Sequence, residues 1–173
     1  MEFLKTRIGK LEAVVFSGGE CTLFKELPDF IKDVKELGFL VKIDTNGTNP
    51  KMIEELVEKE LVNFISLDFK APKEKYQKIT KDKNYENFLK SLKILIKKDA
   101  NFELRTTVHT DLLDENDINS IIKTLKDLGF HNRYYIQNYY HQETTLGDMP
   151  PQKRVLDIKK IDKSNLSVNF RNF

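Results

Sequence analysis

The sequence predicts an α/β fold built on a mainly parallel sheet. Five apolar strand-like runs alternate with amphipathic helical stretches between residues 12 and 139. Each strand-plus-helix unit takes about 25–40 residues, the length of a right-handed crossover. Two segments, Val34-Lys-Glu-Leu-Gly-Phe39 and Leu125-Lys-Asp-Leu-Gly-Phe130, lead from helix to strand in the same way. A partial (βα) barrel and a doubly wound open sheet both satisfy this pattern.

The elements follow in order. Residues 1–10 carry Phe3, Leu4 and Ile8 on one side and Lys5, Arg7 and Lys10 on the other, then Gly9, as at the end of a helix. The first strand is expected over 12–16. A helix from about 23 to 37 carries Leu23, Leu27, Phe30, Ile31 and Val34 at helical spacing and stops at Gly38. The second strand, 39–44, runs into Asp44-Thr45-Asn46-Gly47. Asn49-Pro50 is an N-cap with proline at the first helical position. The third strand spans 61–69. The lysine-rich stretch 73–83 is expected to be a solvated loop. A helix over about 85–97 carries Phe88, Leu92 and Leu95. The fourth strand is 102–109. Asp114 and Asp117 open the next helix, which ends at Gly129. The fifth strand is 133–139, a polar tail with Pro150-Pro151 follows, and Leu166 to Phe170 suits a last short strand.

At 173 residues the chain is expected to be one domain with a real core. Its 29 basic and 27 acidic residues leave a net charge of +2, so charge offers no reason to expect nucleic acid or a membrane as partner. No apolar run approaches the ~20 residues that span a bilayer. The start, Met1-Glu2-Phe3-Leu4-Lys5, has no signal-peptide pattern, and the single cysteine, Cys21, forbids an internal disulfide. The expected compartment is the cytoplasm. One cysteine also excludes a cysteine-only metal site within one copy.

The chemistry gathers where strands end. Ser17-Gly18-Gly19-Glu20-Cys21-Thr22 follows the apolar run Ala13-Val14-Val15-Phe16. Its glycines let backbone N–H groups approach a ligand, and Glu20 disfavours a phosphate there. A carboxylate beside backbone donors suits the ammonium of an amino-acid head group; the alternative is a tight turn with a solvated glutamate. Parallel strands bring further groups to one rim: Asp44, Thr45 and Asn46; Ser66, Asp68 and Lys70; Thr107 and His109; Asn138, Tyr140 and His141. Asp44 also suits a turn, Asp68 and Lys70 a mutual pair, and His141 an ordinary loop. Arg105, inside a strand, asks for a carboxylate such as Asp68 or Asp44.

Val-Phe-Ser-Gly-Gly-Glu-Cys-Thr-Leu, Lys-Ile-Asp-Thr-Asn-Gly and Ser-Leu-Asp-Phe-Lys-Ala-Pro, at successive strand ends, resemble the radical S-adenosylmethionine (SAM) activating enzymes. The resemblance covers about residues 12–142. It is strongest to the activating proteins of anaerobic ribonucleotide reductase, with pyruvate formate-lyase activators as near relatives. It implies a partial barrel with the first βα unit missing, a core over 12–142 and an extension over 143–173. It implies that Gly18, Gly19 and Glu20 bind the SAM amino group, that Asp68 and Lys70 contact SAM, and that His141 stands near the adenosine. In the pyruvate formate-lyase activator the positions of Asp44, Thr45, Ser66 and Asp68 also surround a monovalent cation. Arg105 joins this set of candidate cofactor-binding residues.

Two departures stand out. Cys21 replaces the family's usual proline. The family's Cys-x3-Cys-x2-Cys, which holds a 4Fe–4S cluster, has no counterpart, so no metal ligand or catalytic residue is assigned here. The resemblance implies reductive cleavage of SAM and formation of a glycyl radical on anaerobic ribonucleotide reductase, with a flavodoxin- or ferredoxin-like reductant. This chain is expected to be inactive alone, as a member lacking its first strand and cluster loop. The alternatives are a non-catalytic nucleoside- or partner-binding remnant and an unrelated small-molecule-binding α/β domain.

Overall fold

The computed structural model describes residues 1–141, 149–163 and 165–173. The boundary expected at 142/143 lies outside the described residues. Six strands form one open parallel sheet in sequence order: β1 (Ala13–Phe16), β2 (Leu40–Thr45), β3 (Phe64–Asp68), β4 (Phe102–Val108), β5 (Arg133–Asn138) and β6 (Ser167–Arg171). The five expected strands and the short sixth are present, each shifted or trimmed at its ends. The helices are α1 (Glu2–Lys5), α2 (Leu27–Glu36), α3 (Pro50–Glu58), α4 (Lys73–Thr80), α5 (Tyr85–Lys97) and α6 (Glu115–Asp127). The chain clusters into two compact units, one of residues 1–68 and 84–103, the other of 69–83 and 104–173.

In the first unit, β1 pairs with β2 from Ala13↔Leu40 to Phe16↔Ile43, and β2 with β3 from Lys42↔Phe64 to Thr45↔Leu67. Alternation then sorts the side chains. Val41, Ile43, Ile65 and Leu67 are buried with Ile31, Val34, Ile53, Leu56, Phe88 and Leu92 from the helices. Burying each such side chain contributes about 1.5–3 kcal/mol before entropy is counted. The other face carries Leu40, Lys42, Asp44, Phe64, Ser66 and Asp68. Asn49 caps α3 through Met52 N–H, with Pro50 at the first helical position.

Two expectations for this unit are corrected. The helix at the N-terminus is only Glu2–Lys5 and buries none of its residues; Phe3 and Ile8 are exposed, with Arg7 over the Phe3 ring at 4.5 Å. The helix expected over 23–37 is instead a 3-10 turn at Cys21–Leu23 and then α2. Pro28 near the start of α2 lacks the N–H that a continuous helix would use. Leu23 and Phe24 consequently face solvent.

In the second unit, β5 pairs with β6 from Arg133↔Ser167 to Gln137↔Arg171. Tyr134 and Ile136 are buried with Leu104, Val108, Ile118, Ile121 and Leu125. The Tyr134 hydroxyl donates to Thr106 Oγ1 (2.8 Å), which donates to Phe69 O (2.7 Å), so this buried phenol is satisfied and burial pushes its pKa up. The expected solvated loop at 73–83 is corrected: its first eight residues form α4. Its sequence lacks an apolar stripe, but lysine, glutamate and glutamine are good helix formers. Tyr76 supplies the buried contact, and Lys75 Nζ reaches Asp117 Oδ2 (2.6 Å). Asp114 and Asp117 form a capping box at α6, as the sequence predicts.

Candidate functional site

The Gly-Gly-Glu turn leaves β1 with Gly18 at φ 88° and Gly19 at φ 41°. Side chains rarely adopt these backbone angles, and nothing lies within 4 Å of a Cβ placed at either position. The glycines therefore serve the turn's conformation and leave its backbone open. Glu20 is not a solvated residue. Its Oε1 accepts from Thr22 N–H (3.2 Å), Thr22 Oγ1 (2.6 Å) and Thr45 Oγ1 (2.6 Å), and its Oε2 accepts from Asn46 N–H (2.7 Å). This carboxylate caps the 3-10 turn and clasps the end of β1 to the end of β2. Asn49 Nδ2 adds a bond to Thr22 O (2.6 Å), and Ser91 Oγ donates to Gly47 O (2.6 Å).

Cys21 lies against the same clasp. Its thiol donates to Asp44 O (3.4 Å), and burial, then the nearby Glu20 carboxylate, push its pKa up to about 11. It is a protonated thiol at neutral pH. Together with its solitary position, that makes it a poor metal ligand.

Asp44 and Thr45 point to opposite faces of β2. Thr45 is buried, donating to Glu20 and accepting from Gly47 N–H (3.1 Å). Asp44 is half-buried, with Lys42 Nζ 3.0 Å from Oδ1. Lys42 stands two residues back on the same face, a pairing absent from the sequence reading. Ser66, level with Asp44 in the register, donates to Glu103 Oε1 (2.9 Å). Glu103 is buried and was also missed; the signal was a pair of charges, Glu103 and Arg105, two apart in a strand. Asp68 ends β3, half-buried.

The remaining candidates lie in the second unit. Lys70 is exposed between buried Phe69 and Ala71. Arg105 is half-buried in β4, where the sequence predicts a buried arginine. His109 is buried, with its ring 4.8 Å from Tyr139, and the exposed His141 ring lies 6.4 Å from Tyr139.

Residues 1–136 match the radical SAM superfamily. The chain belongs to this superfamily. It is 34% identical over 160 residues to a Methanocaldococcus jannaschii protein named as a glycyl-radical enzyme activating enzyme, covering 88% of this chain and 67% of that protein. A second M. jannaschii protein so named is 27% identical over 164 residues, covering 91% of this chain and 62% of that one. The chain thus spans about two thirds of the length of these relatives. A domain of pyruvate-formate lyase-activating enzyme from Bacteroides vulgatus superposes with a TM-score of 0.65 at 21% identity, covering 80% of this chain and 87% of that one. The open six-stranded parallel sheet is the radical SAM partial barrel. No helix among the described residues is long and apolar enough to cross a membrane.

Proposed function

We propose that this chain is the SAM-binding partial barrel of a glycyl-radical activating enzyme whose protein target is anaerobic ribonucleotide reductase. The observation that carries the proposal is the clasp at Glu20. Three hydroxyl or amide donors hold Oε1, and Oε2 accepts from Asn46 N–H with a second lone pair that suits an ammonium. An oriented carboxylate beside the open backbone of Gly18 and Gly19 is complementary to the amino group of SAM. Asp68, at the end of β3, keeps the SAM-contacting role that the resemblance implies. The target reductase and a flavodoxin- or ferredoxin-like reductant belong to the same proposal, for the whole protein.

The superfamily's 4Fe–4S cluster does not fit the residues present. Such a cluster takes three or more thiolates, and this chain has one thiol, whose pKa is pushed up. The chain on its own therefore binds SAM without cleaving it.

Calorimetric titration with SAM tests the proposal. Removing a carboxylate that pairs with a desolvated ammonium costs about 2–5 kcal/mol, so Glu20→Ala should abolish measurable binding. Because Glu20 also ties two strand ends, Asp68→Asn is the second variant, and circular dichroism checks that both remain folded. Equal SAM affinity in the wild type and folded Glu20→Ala defeats the proposal.

A further inference from the structure

Lys42 is the one basic residue of β2. In register it lies between Val15 of β1 and Phe64 of β3, both apolar. Residues two apart in a strand share a face, so a lysine with apolar neighbours on either side can send its ammonium along its own strand. Lys42 Nζ lies 3.0 Å from Asp44 Oδ1, and the two side chains are 28% and 25% exposed. That carboxylate oxygen is shut off from solvent. A charged oxygen without water needs a compensating charge, and here a cation of the chain itself stands against it.

The resemblance gives the positions of Asp44, Thr45, Ser66 and Asp68 to a monovalent cation, and the residues present do not fit one. Thr45 points to the opposite face of β2, where its hydroxyl donates to Glu20 (2.6 Å) and accepts from Gly47 N–H (3.1 Å). The Ser66 hydroxyl is turned to Glu103 Oε1 (2.9 Å). A metal ion on Asp44 would share the carboxylate with the ammonium already there, and like charges that close repel.

We propose that the Lys42 ammonium is the built-in counter-cation of Asp44 and takes the place of an alkali-metal ion at the end of β2. Lys42 is a positioning residue: it fixes the Asp44 carboxylate from its own strand. The chain then needs neither sodium nor potassium to hold this strand end or to bind SAM, and only that last clause rests on the SAM-binding reading. A cation carried on the same strand has no binding equilibrium to satisfy, so its place stays filled whatever salt is present.

Thermal melting in sodium, potassium and tetramethylammonium chloride at one ionic strength tests this. All three screen charge equally, but tetramethylammonium is too bulky to seat on a half-buried carboxylate. The wild type should melt at the same temperature in each. Lys42→Met keeps most of the stem and loses the charge, so sodium or potassium should raise its melting point by about 2–4 °C over tetramethylammonium. Lys42→Gln is the second variant and should respond in the same way, whereas Lys42→Met/Asp44→Asn should not respond. A wild type that sodium or potassium stabilises to that extent overturns the proposal. So does a charge-loss variant that neither ion stabilises, or a response that survives in the double variant, since the ion then acts elsewhere. Calorimetric titration with SAM adds an independent arm: wild-type affinity should be equal in the three salts, and binding that requires sodium or potassium overturns the proposal. A chain that binds SAM in none of them removes the SAM reading, while the melting series still decides the role of Lys42.

Discussion

At Gly47, which follows the strand end Asp44-Thr45-Asn46, the backbone has φ 75°, and an added Cβ would stand 2.6 Å from Leu67 Cδ1 and 3.1 Å from Phe88 Cδ2. Both neighbours are fully buried, so neither has room to give. Gly47→Ala should therefore cost about 2–5 kcal/mol, the sum of left-handed backbone strain and overpacking. Gly129→Ala is the control, because φ there is 69° but nothing lies within 4 Å of the new Cβ. Urea unfolding of both compares them, and equal losses would show that the close approach at Gly47 contributes nothing. The sequence marked this glycine only as a turn residue, because Leu67 and Phe88 reach it from other elements. Glu20 was legible as an acid at a strand end. Its clasp was not, since Thr45 and Asn46 join it from 25 and 26 residues away.

Strands and most helices were legible because their burial is periodic, and caps such as Asn49 and Asp114 are local. Helix α4 was not, since one tyrosine anchors it and the tie from Lys75 to Asp117 bridges 42 residues. The strap at residues 149–157, which ties to His109, Thr110, Asn138 and Glu115, has no period at all, so none of its lacing was readable. That lacing has a pH signature. The Arg154 guanidinium, followed by the Asp157 N–H, holds the Glu115 carboxyl down to about 2 from an ordinary value near 4.5. A carboxyl with a depressed folded-state pKa contributes stability above its unfolded value and loses it as pH falls through the folded value. Wild type should thus melt above Glu115→Gln at neutral pH, with the gap narrowing below about pH 4.5 and closing near pH 2. A gap that is the same at neutral and acid pH would mean that the Arg154–Glu115 pair does not secure the strap. Salt should shrink the neutral gap only in part, since the Glu115 side chain is mostly covered while Arg154 is about half exposed.

At the scale of the molecule, three motifs at consecutive strand ends made the superfamily legible, because backbone turns and strand-end carboxylates sit in short contiguous stretches. The chemistry that the superfamily's name implies was less legible in this chain, since it depends on a group these residues do not hold. A site-differentiated 4Fe–4S cluster needs three thiolates that leave one iron open. Cys21 is the only thiol, and its proton is held by burial and the Glu20 charge. His109 has both ring nitrogens engaged, by Pro150 O and Asp111 N–H. The described residues hold no cluster of three histidine, cysteine or acidic side chains placed for a metal. Anaerobic reconstitution of the 173-residue chain with iron and sulfide, then reduction, should yield no electron paramagnetic resonance signal that shifts on adding SAM. Cys21→Ser should behave the same, which separates adventitious iron from a thiolate site. A SAM-sensitive reduced-cluster signal in the wild type that disappears in Cys21→Ser would overturn the conclusion. It would show that Cys21 leaves Asp44 O to ligate iron, with the remaining ligands drawn from non-thiol groups or from a second copy of the chain.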